Sequence, residues 1–147
     1  MKTIAIVGGG FAGTTLLREL DGRLPRGYEL LLLSDESYTT FNPLLPEALG
    51  ASVFPEQVVA PIRPMVRTAR FVMGRVNAVD PVRRTLRCET LAGTRDERYE
   101  HLLLAFGNRA RLDLLPGLAE HGLALKTVGD ALHVRNMVLR RVARNER

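Results

Sequence analysis

Thr3-Ile4-Ala5-Ile6-Val7-Gly8-Gly9-Gly10-Phe11-Ala12-Gly13 stands at the start of the chain, and its reading decides the fold. A short apolar run stops at three glycines and resumes as a helical pattern with Leu16, Leu17 and Leu20. That is the order of a buried strand, a tight turn and the first turn of a helix. Gly8, Gly10 and Gly13 fit G-x-G-x-x-G, in which each glycine has its own task. Gly8 allows the turn, Gly10 lets the backbone approach a pyrophosphate, and Gly13 lets helix and strand pack closely. With Phe11 and Ala12 they would cradle the phosphates on free N–H groups at the helix N-terminus, where the macrodipole favours negative charge.

Outward from this turn, Asp21 to Gly27 carries the chemistry of a loop, and Tyr28-Glu29-Leu30-Leu31-Leu32-Leu33 is a continuous apolar run. Such a run reads as a second parallel strand covered on both faces. Residues 3–33 thus have βαβ form, and the fold class is α/β, a Rossmann-like doubly wound parallel sheet. Ser34-Asp35-Glu36 follows at once. A dinucleotide fold places an acidic side chain about 20 residues past the glycines to bind the ribose hydroxyls. Ser34, Asp35 and Glu36 are all candidates for that contact. The acidic pair disfavours a 2′-phosphate, which points to FAD or NAD over NADP.

Tyr38-Thr39-Thr40-Phe41-Asn42-Pro43-Leu44-Leu45-Pro46-Glu47 has neither a helical nor a strand period. Its two prolines argue against a regular helix or central strand, so it is expected as a rigid loop at the carboxyl end of the sheet. Residues 60–66 suit a short helix with proline near its start. Residues 70–74 read as a third parallel strand. Three short alternating segments then predict an antiparallel β-meander inserted at 75–100, with its second turn at Ala92 to Asp96. His101 to Gly107 returns to the parallel sheet. In the tail, apolar residues of 131–144 are spaced for a helix, with Asp130 as its N-cap.

The chain has 147 residues, with 46% hydrophobic and 25% charged residues, which suits a globular domain. No apolar run approaches the roughly 18 residues of a membrane-spanning helix, and the first residues lack the pattern of a secretory signal. A cytoplasmic location is the resulting expectation. Cys88 is the single cysteine, so it is read as a sheet residue, with no disulfide, metal cluster or dithiol. His101, His121 and His133 are scattered, and no catalytic residue or metal ligand is assigned. The net charge of +5 collects at Arg63, Arg67, Arg70 and Arg75 and at Arg135, Arg140, Arg141, Arg144 and Arg147. No aromatic residues interleave with these arginines as a nucleic-acid platform requires, so nucleic acid is not expected as a partner.

Taken together these stretches resemble the FAD-dependent pyridine nucleotide:quinone oxidoreductases, the type II NADH dehydrogenases and their sulfide:quinone reductase relatives. Residues 6–13 resemble their flavin fingerprint. Tyr38 to Leu49 is similar to their Y-x-x-F-x-P-L-L-x-E segment, and Tyr99 to Gly107 to their Y-D-x-L-V-L-A-x-G strand. Pro116 to His121 and Lys126 to Asn136 are similar to "PG(x)EH…KT…DA…RN". The resemblance implies that Asn42, Pro43 and Leu44 lie near the flavin ring. It also implies that Val76 presents backbone to adenine, and that Ala105, Phe106 and Gly107 end the strand that touches the dinucleotide. Two departures stand out: Ser34 replaces a frequent carboxylate, and Phe106 replaces the threonine of A-T-G.

Residues 1–147 would then be the FAD-binding, N-terminal portion of an enzyme that passes a hydride from NADH to FAD and electrons on to a quinone. No second glycine fingerprint for NADH follows, and Gly129-Asp130 is read as a helix start, so this chain alone is expected to be inactive. Its partners would be FAD and a C-terminal half or second chain that carries the NADH site. The resemblance allows peripheral contact with the inner face of the membrane in the complete enzyme. Two other readings stay open: a non-catalytic or split dinucleotide-binding module, and a fragment of a sulfide:quinone reductase-like flavoprotein.

Overall fold

The computed structural model describes residues 1–145. Strand β1 (Lys2–Val7) leads to helix α1 (Phe11–Leu20) and strand β2 (Tyr28–Ser34). A ribbon strand β3 (Tyr38–Thr40), helix α2 (Leu45–Leu49) and ribbon strand β4 (Val59–Pro61) come next. Strands β5 (Arg70–Met73), β6 (Arg75–Asp80), β7 (Thr85–Thr90), β8 (Gly93–Arg98) and β9 (His101–Leu104) follow. Helices α3 (Leu118–His121) and α4 (Val128–Asn145) complete the described chain. The contacts divide it into two compact units, residues 1–39 with 61–107, and residues 40–60 with those from 108 onward.

The first unit holds a four-stranded sheet in the order β5-β2-β1-β9, with all neighbours parallel. This is one half of a doubly wound sheet, its first strand in the middle. Why the Leu30–Leu33 run forms a strand is visible in where its side chains go. Leu31 and Leu33 join Ala5, Val7 and Val72 on one face, where Leu86 and Cys88 of β7 cover them. Leu30 and Leu32 join Ile6 on the other face, beneath Leu17 of α1 and Ile62. Both faces are therefore dry, and each fully buried leucine contributes about 1.5–3 kcal/mol relative to exposure. A run interrupted by polar residues would leave one face wet.

The meander β6-β7-β8 forms its own antiparallel sheet. Its second turn differs from the expectation: the chain reverses at Leu91-Ala92, and 93–98, expected mostly as turn, is strand β8. Gly93 makes this possible with φ at +113°. The segment Thr94 to Arg98 has no apolar alternation and is held by charge instead. Arg87 pairs with Asp96 across the strands at 2.9 Å, and Arg70 bridges Glu97 at 3.0 Å and Glu29 at 3.3 Å. The return segment pairs with β1 only as far as Leu104; Ala105 to Gly107 lies beyond the strand.

The second unit has a small core of Leu45, Ala48, Val58 and Ala131. The segment expected as an irregular loop is more regular than its prolines suggest. Asn42–Leu44 forms a 3-10 turn, and α2 follows with Pro46 in its first turn. Proline is tolerated there because that N–H has no intrahelical acceptor to lose. Residues 60–66, expected as a helix, instead split between β4 and a 3-10 turn at Arg63–Met65. Helix α4 starts earlier than expected, and Asp130 is not its N-cap. The Thr127 hydroxyl accepts from the Asp130 amide at 3.1 Å, and the Asp130 carboxylate accepts from the Thr127 amide at 2.8 Å. Thr127 caps and Asp130 reciprocates from the first turn, as in a capping box. Of the basic tail, Arg147 lies outside the described residues.

Candidate functional site

The carboxyl ends of β2, β1 and β9 lie side by side, and the ladder continues one step past the strands. The Gly8 amide donates to the Leu33 carbonyl at 2.8 Å, and the Ala105 amide to the Val7 carbonyl at 2.7 Å. Gly8 has φ at +115°, and a β-carbon there would lie 2.4 Å from the Ala105 carbonyl oxygen. Both facts exclude a side chain. A β-carbon on Gly13 would stand 1.8 Å from the Gly8 carbonyl oxygen, so the helix rests directly on the turn. Gly10 differs: a β-carbon there would meet nothing within 4 Å. Its φ of −76° is also open to any residue. Neither packing nor backbone conformation requires glycine at this position.

Helix α1 begins at this open position. Gly10 is its N-cap without a side-chain hydrogen bond, and its first turn carries no acid. The Thr14 and Thr15 hydroxyls turn back onto the carbonyls of Gly10 and Phe11. The first-turn amides of a helix lack intrahelical acceptors, which makes an anion the natural complement. Phe11 is 77% exposed beside them.

Ser34, Asp35 and Glu36 separate clearly in the structure. Ser34 ends β2 buried, and its Oγ accepts from the Glu36 amide at 3.3 Å. It lies against the turn, because a β-carbon on Gly9 would come within 2.5 Å of both the Ser34 Oγ and the Ile62 Cδ1. Asp35 and Glu36 are exposed. Burial, with the Glu36 and Asp35 carboxylates nearby, raises the Tyr38 phenol above its ordinary value. Gly9 and Ile62 escaped the sequence reading: Gly9 occupies an "x" of the fingerprint, and only the third consecutive glycine hinted at it.

Ala105 is half-buried beside the turn, Phe106 is 67% exposed, and Gly107 has φ at +65°. Val76 lies in the first unit on edge strand β6, opposite Cys88, with its side chain against the sheet core. The structure thus brings Gly8, Gly10, Phe11, Ala12, Gly13, Ser34, Ala105 and Phe106 together around one turn. Asn42, Pro43 and Leu44 belong to the second unit. Asn42 and Pro43 are exposed there, and Leu44 packs on the α2 core. With its amide oriented to donate to the Thr40 carbonyl, Asn42 accepts from the Lys126 ammonium at 3.2 Å.

One anchor had no sequence signal. Asp21, read as loop, is 3% exposed. Its carboxylate accepts from the amides of Arg67 (2.6 Å), Thr68 (3.0 Å) and Ala69 (2.9 Å) and from the Thr68 hydroxyl. Burial raises its pKa, but these donors outweigh burial and hold it below the ordinary carboxylate value. The bonds fix the segment entering β5 to the end of α1.

Comparison with known proteins gives the family of the chain. The family model for pyridine nucleotide-disulphide oxidoreductases matches residues 2–143. The chain belongs to this family. A mitochondrial external alternative NAD(P)H-ubiquinone oxidoreductase B1 of Solanum tuberosum is 30% identical over 94% of the chain and 25% of that protein. A probable mitochondrial NADH-ubiquinone oxidoreductase of Schizosaccharomyces pombe is 29% identical over 94% of the chain and 26% of that protein. The chain therefore spans about a quarter of the length of the curated relatives it matches. Among solved structures, NDH2 from Plasmodium falciparum in complex with NADH superposes with a TM-score of 0.82 at 23% identity, covering 91% of this chain and 28% of that one. The sulfide:quinone oxidoreductase of Aquifex aeolicus gives 0.80 at 22% identity, covering 97% of this chain and 33% of that one. These likenesses show a shared Rossmann-type fold.

The family name includes disulphide chemistry, yet this chain has one cysteine. Cys88 is fully buried in β7, and burial raises its thiol pKa, the opposite of a reactive thiolate. Among the described residues no helix is long and apolar enough to cross a membrane.

Proposed function

We propose that this pyridine nucleotide-disulphide oxidoreductase family chain is the FAD-binding portion of an NADH:quinone oxidoreductase-like flavoprotein. Residues 1–147 form its FAD-binding domain and 75–100 its meander insertion. The observation that carries the reading is Gly10, a glycine at an exposed helix start that neither backbone conformation nor protein packing requires. A pyrophosphate lying over it does require a bare backbone. Gly8, Gly10, Phe11, Ala12 and Gly13 would hold that group. Asp35 and Glu36, exposed beyond the buried Ser34, would face the ribose hydroxyls. Asn42, Pro43 and Leu44 would approach the flavin ring, Val76 the adenine, and Ala105, Phe106 and Gly107 the dinucleotide from β9. The bound flavin would supply hydride acceptance and electron release; the chain supplies position and a dry wall.

The NAD(P)H-ubiquinone names of the relatives support NADH as donor and a quinone as acceptor in the complete enzyme. They are also named as mitochondrial, so they lend the cytoplasmic expectation no support. The sequence contains no second G-x-G-x-x-G, so the NADH site is assigned to polypeptide other than residues 1–147. Titration of the purified chain with FAD, followed by flavin fluorescence, tests the reading. Saturation at one FAD per chain is expected, and the absence of saturable binding would overturn it. NADH:quinone turnover with added FAD is expected to be negligible for this chain, and robust turnover would refute that assignment.

A further inference from the structure

We propose, resting on the flavin reading, that Phe106 is a specificity residue of the glycine-turn site, its ring packing on the flavin arm of the dinucleotide and not on the adenosine arm. A phenylalanine stands here where the resembling family carries threonine, so the ring is this chain's own feature. It is 67% exposed, and a phenylalanine left in water forgoes about 1.5–3 kcal/mol of burial. Among the described residues no aromatic ring stacks on it and no cation covers it. Its backbone, in contrast, is fixed. The Ala105 amide donates to the Val7 carbonyl at 2.7 Å, and a β-carbon on Gly8 would stand 2.7 Å from the Phe106 Cα. Leu104, at the end of β9, is 58% exposed as well. An apolar surface anchored this firmly and covered this little is placed for a partner at the turn.

Sheet order selects the arm. In the order β5-β2-β1-β9, strands β2 and β9 lie on opposite sides of β1. A dinucleotide fold binds the adenosine ribose just past the second strand, where Asp35 and Glu36 are exposed. With the pyrophosphate over the turn that ends β1, the other arm leads towards β9. Residues 102–107 there carry no charged side chain. A flat apolar ring at that place suits a second flat ring system, and such a pair gains about 0.5–1.5 kcal/mol beyond its buried area. The adenosine arm, held on the far side of β1, gains nothing from it.

Calorimetric titration of the 147-residue chain with FAD and, separately, with ADP, which lacks the flavin arm, tests this role. Phe106→Ala should weaken FAD binding about tenfold and leave ADP within about twofold of the parent. Its melting temperature should match the parent's, because a ring this exposed touches little protein. Phe106→Trp should keep the affinity for FAD and dim the fluorescence of the bound flavin, since an indole quenches an excited flavin only at contact. The tryptophan variant carries the test by itself should the alanine variant misfold. Three results would overturn the proposal and leave the flavin reading intact: Phe106→Ala binding FAD like the parent, Phe106→Ala losing ADP as much as FAD, or Phe106→Trp leaving the bound flavin as bright as before. A parent chain that does not saturate with FAD would overturn the flavin reading, and the role of Phe106 with it.

Discussion

Replacing Gly10 and Gly13 separately by alanine distinguishes a glycine kept for a ligand from one kept for the fold. Gly10→Ala introduces a methyl group into space with no protein atom within 4 Å, at a backbone conformation alanine accepts. Alanine is a poorer N-cap than glycine by roughly 0.5–1 kcal/mol. Reduced freedom of the unfolded chain returns about 0.4–1 kcal/mol. Stability should therefore stay within about 1 kcal/mol of the parent. Gly13→Ala puts the same methyl group 1.8 Å from the Gly8 carbonyl oxygen. That neighbour is backbone and cannot rotate away, so α1 must lift from the sheet. Overpacking of this kind costs about 3 kcal/mol or more, which lowers Tm by roughly 6–12 °C for a chain of this size. In FAD titration Gly10→Ala should lose at least tenfold in affinity, equivalent to about 1.4 kcal/mol. The assay pairs thermal unfolding without ligand with that titration. Gly10→Ala binding FAD like the parent, or Gly13→Ala melting like the parent, would refute the reasoning.

Asp21→Asn should cost about 2–3 kcal/mol, because a buried carboxylate loses charge-assisted bonds to three amides and a hydroxyl. The folded pKa of Asp21 lies below its unfolded value. Its contribution is therefore present above about pH 4 and lost as pH falls through the depressed folded pKa; denaturant titrations at several pH values should show that acid-side slope reduced in the variant. Arg70→Gln should destabilise by roughly 1–2 kcal/mol, since Arg70 joins Glu29 of β2 to the nearly buried Glu97 of β8 but is 40% exposed. Chemical unfolding with little change would contradict the bridging role. Thr127→Ala and Asp130→Ala should each cost about 1 kcal/mol. The double variant should cost clearly less than their sum, because each side chain bonds the other residue's amide and loss of either bond already frays the first turn of α4. Strict additivity in unfolding measurements would count against the capping box.

Much of the parallel sheet was legible because a continuous run such as Leu30–Leu33 leaves few alternatives to a strand buried on both faces. The glycine turn was legible for the same kind of reason: Gly8 and Gly13 answer to local backbone constraints that recur wherever strand meets helix. What escaped was held together by distant partners. Asp21 looked like loop chemistry, and its donors lie more than forty residues away. Strand β8 shows no apolar alternation, because it is held by Arg87 and Arg70 of other strands meeting Asp96 and Glu97. Pro46 concealed α2, since proline weighs against a helix only beyond the first turn. Of the three ribose candidates, the sequence could not show that Ser34 is buried against Gly9 while Asp35 and Glu36 are exposed.

The most direct test of the central claim, a pyrophosphate cradle at Gly8 to Gly13, is competition against bound FAD. ADP carries the pyrophosphate and adenosine without the flavin ring; riboflavin carries the ring without a phosphate. The account predicts that FAD binds once per chain, that ADP displaces it, and that riboflavin at the same concentration does not. Displacement by riboflavin but not by ADP would contradict it.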